Sequence, residues 1–327
     1  MKKSALITGI TGQDGSYLAE FLLKKGYKVH GLVRRVAAED ESHRFWRLRH
    51  LRNKITIHAG SLESYASIIN IITKVKPHEI YHLGAQSYID YAFKDEFSTI
   101  NTNINGTHFL LSAIKEFSPK TKFYFAGSSE MFGKVRQVPQ TEKTPFYPRS
   151  VYGISKVAGF DLTRNYREAY NLFCCSGILF NHESPRRGFE FVTRKITHSV
   201  AKIKFGLQKD LKLGNMEAKR DWGHAKDYVE AMWLMLNQRK PDDYVISTGK
   251  HFSVRDFTKL AFKLVDLDYR KYVKIEKSLY RPSEVESLLG DCRKAKKNLK
   301  WKPKYDFKKL VQDMVRADLE FVEKEGY

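Results

Sequence analysis

The chain has 327 residues, 42% of them hydrophobic, and its 58 basic and 37 acidic side chains give a formal net charge of +21. This size and apolar content predict a packed globular protein, and no apolar run approaches the roughly 20 residues of a membrane span. The basic residues are scattered and form no recognition-helix motif. We therefore expect no membrane or nucleic-acid partner and attribute part of the charge to an anionic small-molecule substrate.

The three cysteines do not suggest a disulfide framework, because Cys174 and Cys175 are adjacent within an apolar run. Glycines interrupt the apolar segment that follows Lys2 and Lys3, so no signal peptide is predicted. We expect a cytoplasmic protein in a reducing setting. No set of metal ligands is predicted.

The N-terminal segment has the pattern of a dinucleotide-binding unit. An apolar strand runs into Gly-Ile-Thr-Gly-Gln-Asp-Gly (residues 9–15), an amphipathic helix follows, and a second strand spans 28–33. Glycines at this spacing allow backbone N–H groups to approach a pyrophosphate closely, and the helix N-terminus adds favourable electrostatics. A purely structural turn is the alternative interpretation.

The second strand ends at two arginines, Arg34 and Arg35. An acidic residue here would bind the 2′-hydroxyl of the adenosine ribose, whereas arginine suits a 2′-phosphate. The sequence therefore favours NADP over NAD. The alternative is that both arginines are solvated.

Strands and helices alternate through most of the chain. Further strands are predicted at 55–59, 79–83, 122–126, 172–179 and 243–248, and helices at 65–74, 97–116, 192–205 and 227–236. This order predicts an α/β fold, a Rossmann-type doubly wound parallel sheet covered on both faces. From His251 onward the pattern becomes helical and basic, which predicts a smaller, mostly helical C-terminal substrate-binding domain. We assign residues 1–180 and 219–250 to the NADP-binding domain and residues 181–218 and 251–327 to the substrate-binding domain.

Ligands of such sheets bind beyond the carboxyl ends of the strands. Arg34, Gly84 and Ser128 fall at such ends. Tyr152 and Lys156 stand four residues apart, so they share one helix face. We expect the ammonium group to lower the pKa of Tyr152, which makes Tyr152 a candidate base. A surface helix pair is the alternative.

A polar turn at 181–188 follows the strand at 172–179. Together with Arg220 and Arg281, Arg186 of this turn is a candidate clamp for a diphosphate. For each of these arginines, a surface salt bridge is the alternative.

The glycine turn, the hydroxyl-bearing strand end and the Tyr-x-x-x-Lys pair together resemble the extended short-chain dehydrogenase/reductase family. Longer phrases along essentially the whole chain resemble the GDP-mannose 4,6-dehydratases in particular. These phrases span residues 9–18, 144–150, 180–188, 191–196, 220–228 and 281–286.

The resemblance implies tightly held NADP and a GDP-linked manno-configured sugar, which is converted to the 4-keto-6-deoxy sugar. The implied catalytic residues are Ser128, Glu130, Tyr152 and Lys156. The implied cofactor contacts are Gly9, Thr11, Gly12, Gln13, Asp14, Gly15, Arg34, Arg35, Ser61, Leu62, Leu83, Gly84, Ala85, Ser87, Tyr152, Lys156, His182 and Arg187. The implied substrate contacts are Ser87, Ser128, Ser129, Glu130, Asn181, Lys195, Arg220, Arg281 and Glu284.

In the implied reaction, Tyr152 takes the O4 proton while C4 gives a hydride to the nicotinamide. Glu130 removes the C5 proton and helps the C6 hydroxyl to leave. The alternative function is an NADP-dependent nucleotide-sugar epimerase, which would need no carboxylate at position 130. A non-catalytic dinucleotide sensor would not need Tyr152, Lys156 and Glu130 together.

Three departures from the family pattern bear on the substrate and the assembly. Ser61 stands where the family usually has an aspartate that faces the adenine. Residues 36–40 replace a serine-containing loop that contacts a neighbouring subunit, which leaves a homodimer and a homotetramer open. Tyr88, Asp90 and Ala92 replace residues near the sugar. A close branch of the family acts on GDP-D-glycero-D-manno-heptose, so both this heptose and GDP-mannose are candidate substrates.

Overall fold

The computed structural model describes residues 2–280 and 285–325. Its strands are β1 (Ser4–Thr8), β2 (Lys28–Val33), β3 (Thr56–Ala59), β4 (Glu79–His82), β5 (Lys122–Ser128), β6 (Cys174–Leu179), β7 (His182–Glu183), β8 (Leu211–Leu213), β9 (Lys219–Arg220), β10 (Gly223–His224), β11 (Tyr244–Ile246), β12 (Phe252–Ser253) and β13 (Val273–Ile275).

Thirteen α-helices are defined within these described residues. They are α1 (Gln13–Lys24), α2 (Arg35–Glu39), α3 (Glu41–Arg44), α4 (Tyr65–Val75), α5 (Ile89–Ala92), α6 (Glu96–Ile100), α7 (Gly106–Phe117), α8 (Val151–Tyr170), α9 (Val192–Lys204), α10 (Ala225–Leu236), α11 (Val254–Lys263), α12 (Arg293–Leu299) and α13 (Phe307–Glu325). Short 3-10 segments span Trp46–Lys54, Ser129–Met131, Tyr269–Lys271 and Lys277–Leu279, and a π-helical turn spans Asn101–Asn105.

Seven parallel strands form the central sheet in the order β11-β6-β5-β4-β1-β2-β3. Successive strands run outward from β1 in one direction and from β4 in the other. The connections therefore diverge between β1 and β4, and this leaves a crevice beyond their carboxyl ends. The predicted doubly wound α/β fold is confirmed.

Alternate side chains of the sheet enter two separate cores. Ala5 and Ile7 of β1 pack in a core with α1 and α10 on one face, whereas Leu6 packs in a core with α4, α7 and α8 on the other. Because both faces of the sheet are covered, the inner strands β1, β4 and β6 are buried along their whole length, whereas the edge strand β3 is partly exposed. Two-sided packing fixes the strands rigidly and therefore fixes the residues at their ends.

A third core lies among α9, α11 and α13, where Val200, Phe257 and Met314 are buried. After α11 the chain returns to the central sheet, where Cys292 and Trp301 pack in the core formed with α1 and α10. The indole N–H of Trp301 donates to the Asp227 carbonyl at 2.8 Å. The segment 292–301 thus attaches the smaller unit to the sheet.

Two features of the local structure were not predicted. The region predicted as one helix at 97–116 contains the π-helical turn Asn101–Asn105 between α6 and α7. The C-terminal region also contains short strands, because β12 pairs with β9 and β13 pairs with β8. None of the described helices is both long and apolar enough to cross a membrane.

A buried ion pair holds α9 against α13. The Arg194 guanidinium contacts the Asp318 carboxylate at 2.7 Å, and their side chains are 3% and 0% exposed. Thr197 also donates to Asp318, at 2.6 Å. Burial raises the pKa of Asp318 while Arg194 lowers it. The arginine therefore offsets part of the free-energy cost of burying the carboxylate.

We predict that Arg194→Met lowers the free energy of unfolding by about 3–5 kcal/mol, because it leaves a buried carboxylate without its cation. The matched control is Arg255→Met, which removes an exposed pair with Glu217 and is expected to cost no more than about 1 kcal/mol. Urea denaturation of both variants measures the difference. Equal losses would show that the Arg194 pair contributes no more than a surface pair.

Candidate active site

A cavity of about 1240 Å³ opens at the carboxyl ends of β1, β2, β4 and β5. Pockets for a single small ligand usually measure roughly 300–1,000 Å³, so this one has room for a dinucleotide and a second ligand. Of the predicted cofactor, substrate, catalytic and clamp residues that the structure describes, all but Arg35 and Arg186 lie on the cavity wall. Arg281 and Glu284 lie outside the described residues. The parallel sheet therefore brings together residues that are distant in sequence.

The glycine turn forms a cradle that side chains would fill. Gly9 has a φ of +71°, and a Cβ there would lie 2.8 Å from the backbone nitrogen of Gly84. A Cβ at Gly15 would lie 2.3 Å from the Gly9 carbonyl oxygen. Only glycine satisfies both the backbone conformation and the close approach. The backbone N–H groups at the start of α1 can therefore approach a ligand phosphate directly.

A chain of buried hydrogen bonds holds the turn after β4 in place. Thr8 Oγ1 accepts the Gly84 N–H at 3.0 Å and lies 2.8 Å from His82 Nδ1. The other ring nitrogen of His82 lies 3.1 Å from Thr107 Oγ1. Burial lowers the pKa of His82 to about 3, so the imidazole is neutral and accepts the Thr8 hydroxyl proton while donating to Thr107. This relay fixes the backbone of the turn that faces the cavity.

Asp14 and His182 join the glycine turn to the 181–188 turn. His182 Nε2 lies 2.7 Å from the Asp14 carboxylate, and Nδ1 lies 2.7 Å from the Phe180 carbonyl oxygen. Both ring nitrogens face acceptors, so both must donate and the imidazole is positively charged. Burial opposes ionisation of each partner, but their mutual attraction prevails: the pKa of Asp14 is lowered and that of His182 is raised.

The four predicted catalytic residues meet at the floor of the cavity. Ser128 ends β5, and Glu130 follows in a short 3-10 turn where its N–H donates to Ser128 Oγ at 3.2 Å. Tyr152 and Lys156 lie on α8, whose start is capped by Ser150 accepting the Gly153 N–H at 3.0 Å. The arrangement combines a hydroxyl, a carboxylate, a phenol and an ammonium group on one wall.

The prediction that Lys156 lowers the pKa of Tyr152 is wrong for this structure. Burial raises the pKa of Tyr152 to about 12, while the hydrogen bond with Ser128 acts in the opposite direction. Lys156 Nζ lies 5.7 Å from the centroid of the Tyr152 ring and donates to the Ala126 carbonyl at 2.8 Å. Burial also lowers the pKa of Lys156 to about 8. Loss of hydration therefore outweighs the attraction between the two groups.

The predicted substrate residues Asn181, Lys195 and Arg220 also line the cavity. Arg220 is buried, and its guanidinium donates to the carbonyl oxygens of Lys219 and Val285 at 3.0 and 2.7 Å. The side-chain oxygen of Asn181 is buried and has no hydrogen-bond partner among the described residues. An orphaned acceptor in a cavity wall is what a ligand donor would satisfy.

Arg186 is not part of a diphosphate clamp. Its guanidinium pairs with Glu20, donates to Ser16 Oγ at 3.1 Å and lies 4.1 Å over the Tyr17 ring. These contacts are all on α1 and lie off the cavity wall. The salt-bridge alternative is therefore the correct one for Arg186, because its side chain turns back onto the helix.

The two arginines after β2 have different surroundings. Arg34 lines the cavity. Arg35 begins α2 and pairs with Glu39 one turn later, at 2.8 Å, and its side chain is 86% exposed. The junction between strand and helix rotates successive side chains apart, so only the first arginine faces the ligand space.

Three residues predicted to lie near the sugar depart from the family pattern. Two of them, Tyr88 and Asp90, line the cavity. The Tyr88 ring meets Phe191 edge-on at 5.6 Å. Ala92 is 1% exposed and lies off the cavity wall. The prediction that Ala92 lies near the sugar is therefore wrong, because Ala92 packs inside the protein.

Arg47 is a cavity residue that the sequence analysis missed. It lies in the 3-10 segment Trp46–Lys54 and donates to the carbonyl oxygens of Arg186 and Thr11 at 2.7 and 3.3 Å. Burial lowers its pKa to about 10. The surrounding segment is dense in basic residues, so no periodicity in the sequence distinguished Arg47 from its neighbours. The adjacent Trp46 was the feature of the sequence that could have singled out Arg47.

Comparison with known proteins identifies the family. The family model for GDP-mannose 4,6 dehydratase matches residues 6–314. The chain belongs to the GDP-mannose 4,6-dehydratase family. It is similar to the human GDP-mannose 4,6 dehydratase, with 49% identity over 341 residues that cover 97% of this chain and 92% of the human protein.

Solved structures of other members of the fold agree with the architecture. A dTDP-glucose 4,6-dehydratase of Bacillus anthracis in complex with NAD matches with a TM-score of 0.84 and 20% identity, covering 99% of this chain and 98% of that one. RMD of Pseudomonas aeruginosa, complexed with NADPH, matches with a TM-score of 0.82 and 21% identity, covering 98% and 100%. At these identities the likeness shows the fold of this family member. The glycine cradle and the orphaned Asn181 acceptor fit a nicotinamide dinucleotide beside a second ligand.

We predict a pH-dependent contribution of the Asp14–His182 pair to stability. Because the pKa of His182 is raised above 6.5, its contribution is complete below pH 6.5 and is lost as pH rises through the folded-state pKa. Because the pKa of Asp14 is lowered below 3.8, its contribution is present above pH 3.8 and is lost as pH falls through the folded-state pKa.

The test is the difference in unfolding free energy between the unsubstituted protein and His182→Gln, measured across pH. The difference should be largest between pH 3.8 and 6.5 and should shrink on either side. His108→Gln, at an exposed site on α7, provides the matched histidine control. A difference that is constant with pH would contradict the charged pair.

Proposed function

We propose that this family member is an NADP-dependent GDP-sugar 4,6-dehydratase. It would oxidise a GDP-manno sugar at C4, eliminate water across C5 and C6, and reduce C6 to give the 4-keto-6-deoxy sugar. The observation that carries the proposal is the convergence of Ser128, Glu130, Tyr152 and Lys156 on one cavity wall. The family membership supports the same activity.

Each residue has a distinct task in this reaction. The Oη atom of Tyr152 takes the O4 proton. Ser128, which forms a hydrogen bond with Tyr152, orients O4. The ammonium of Lys156 lies 5.7 Å from the centroid of the Tyr152 ring. Burial outweighs its attraction in the free protein, but a positive charge at this distance offsets part of the cost of the phenolate that accepts the O4 proton. A bound nicotinamide would supply the acceptor for the C4 hydride and the donor that returns this hydride to C6.

Glu130 performs the elimination. The ketone at C4 acidifies the C5 proton, and the Glu130 carboxylate removes it. The same group then gives the proton to the departing C6 hydroxyl, so water leaves without a free hydroxide. When the hydride returns to C6, C5 takes up a proton from solvent, which balances the O4 proton that Tyr152 removed. A carboxylate suits both steps because it acts first as base and then as acid. This residue also makes the epimerase alternative less supported, since an epimerase needs no elimination.

We predict that Glu130→Gln lowers turnover by about 10² to 10⁴-fold, because an amide cannot remove the C5 proton. Oxidation at C4 should persist, so reduced nicotinamide should accumulate on mixing with substrate. Solvent deuterium should no longer enter at C5. Glu96→Gln, an exposed substitution on α6, is the control. Near-normal turnover in Glu130→Gln would refute the assignment.

The choice of NADP rests on Arg34. It lies on the cavity wall after β2, with His43 and Arg44 on the same wall. Asp40 of this wall pairs with Arg44 at 3.7 Å, and its other oxygen lies 2.7 Å from the His43 ring. Arg34 and Arg44 outnumber the Asp40 carboxylate, so a 2′-phosphate would meet a net positive charge here. The cofactor is expected to co-purify, because the reaction consumes no external oxidant.

We predict that Arg34→Ala weakens NADP binding by about 10- to 100-fold and changes NAD binding by less than about threefold, since only NADP carries the 2′-phosphate. Arg35→Ala is the matched control, because Arg35 pairs with Glu39 off the cavity wall. Titration of the nucleotides into both variants gives the dissociation constants. Equal loss of NADP and NAD binding would contradict this role.

We extend the proposal to the organisation of the protein. The unit formed by residues 181–218 and 251–327 would bind the GDP-sugar, since Lys195 on α9 faces the cavity. The unit formed by residues 1–180 and 219–250 would hold the cofactor. We also propose a homodimer or homotetramer in the cytoplasm; the free, buried cysteines 174, 175 and 292 support a reducing setting.

GDP-mannose and GDP-D-glycero-D-manno-heptose are both proposed as substrates, and the heptose is proposed to be turned over at least as well as GDP-mannose. Asp90 places a partly exposed carboxylate on the cavity wall, and a carboxylate can accept a further hydrogen bond beside its contacts within the protein. A hydrogen bond to a charged group contributes about 1.5–3 kcal/mol. A bond from the additional C7 hydroxyl to Asp90 should therefore favour the heptose over GDP-mannose.

We predict that kcat/KM for the GDP-heptose is at least equal to that for GDP-mannose. Asp90→Ala should lower kcat/KM for the heptose by about 10- to 100-fold and leave that for GDP-mannose within about threefold. Steady-state assays with both substrates give the comparison. A strong preference of the unsubstituted protein for GDP-mannose would overturn the heptose assignment while leaving the dehydratase intact.

A further inference from the structure

One of the described cations around the glycine turn makes no direct ion pair. The other cations nearby each face an acid: His182 faces Asp14, Arg186 faces Glu20, and Arg187 Nε lies 3.1 Å from Glu183. Arg47 differs, because its guanidinium donates to backbone carbonyl oxygens and forms no ion pair within the described residues. Glu190 attracts the Arg47 charge, but three neighbouring arginines repel it, so its surroundings favour a further anion.

Arg47 is also fixed in place. Its Nε donates to the Arg186 carbonyl at 2.7 Å and its Nη1 to the Thr11 carbonyl at 3.3 Å. Arg186 is itself anchored to α1 by Glu20 and Ser16. The guanidinium thus joins the glycine turn to the 181–188 turn at the cavity wall. A side chain held in this way loses little freedom when a ligand arrives.

The position beside Thr11 places this charge next to an anion site. The twelve-residue helix α1 begins after Gly12, which provides no side-chain cap, and its first residues line the cavity. Uncapped N–H groups at a helix start favour a phosphate. Asp14 in the first turn would oppose an anion, but its charge is offset by His182. Arg47 then supplies the net positive charge.

We propose that Arg47 binds the pyrophosphate of the dinucleotide, together with the N–H groups of the glycine turn. The inference rests on the proposed function and adds a ligand contact from the 3-10 segment Trp46–Lys54. A guanidinium has five N–H donors, and the two backbone bonds occupy two of them. The remaining donors are available for phosphate oxygens, which arginine binds through charge-assisted hydrogen bonds.

The experiment measures binding of NADP and of 2′-AMP to the full-length protein freed of nucleotide. 2′-AMP reports on the Arg34 end of the site but lacks the pyrophosphate. Arg47→Met should weaken NADP binding by about 10- to 100-fold and leave 2′-AMP binding within about twofold. Arg47→Lys should retain most of the NADP affinity, because it keeps the charge. Arg49→Met, at an exposed position off the cavity wall, should behave as the unsubstituted protein.

Three results would overturn the inference. Unchanged NADP binding in Arg47→Met would show that the guanidinium does not contact the phosphates. Equal weakening in Arg47→Lys and Arg47→Met would show that Arg47 only holds the two turns together. Equal weakening of 2′-AMP and NADP would show a general collapse of the cavity. If the unsubstituted protein binds neither NADP nor NAD, the proposed function fails as well, so the two failures are distinguishable.

Discussion

The close approach of Gly9 to Gly84 is the constraint on which the site depends. A Cβ at Gly9 would lie 2.8 Å from the Gly84 nitrogen, so the ends of β1 and β4 meet only because both turns lack side chains. These strands flank the point where the sheet connections diverge. The contact closes the floor of the crevice while leaving backbone N–H groups open to a ligand. Every other residue of the site is placed relative to this floor.

Two charge balances then distinguish the parts of the cavity. At the glycine turn, the Asp14–His182 pair cancels its own charge, and Arg47 makes no direct ion pair within the described residues. At the catalytic wall, burial raises the pKa of Tyr152 to about 12 and lowers that of Lys156 to about 8, so both groups lean toward their neutral forms. In the proposed reaction, phosphate binding would therefore use a guanidinium charge, whereas proton transfer would use groups whose charged forms burial disfavours.

The sequence was sufficient to predict the parallel sheet and the clustering of the site residues, because strand ends converge wherever alternating strands and helices form a doubly wound sheet. It was insufficient where the result depends on side-chain direction or hydration. Arg34 and Arg35 are equivalent in sequence, but the start of α2 turns Arg35 toward Glu39. Arg186 turns back onto α1, and the pKa of Tyr152 follows burial, which spacing from Lys156 does not reveal.

The central claim is that one cavity moves a hydride from C4 to C6 of the same sugar. The most direct measurement uses GDP-mannose and the GDP-heptose carrying deuterium at C4, with analysis of the product by mass spectrometry and NMR. The account predicts a 4-keto-6-deoxy product with the deuterium at C6. A product that keeps its C6 hydroxyl and retains deuterium at C4, as an epimerase would give, would contradict it.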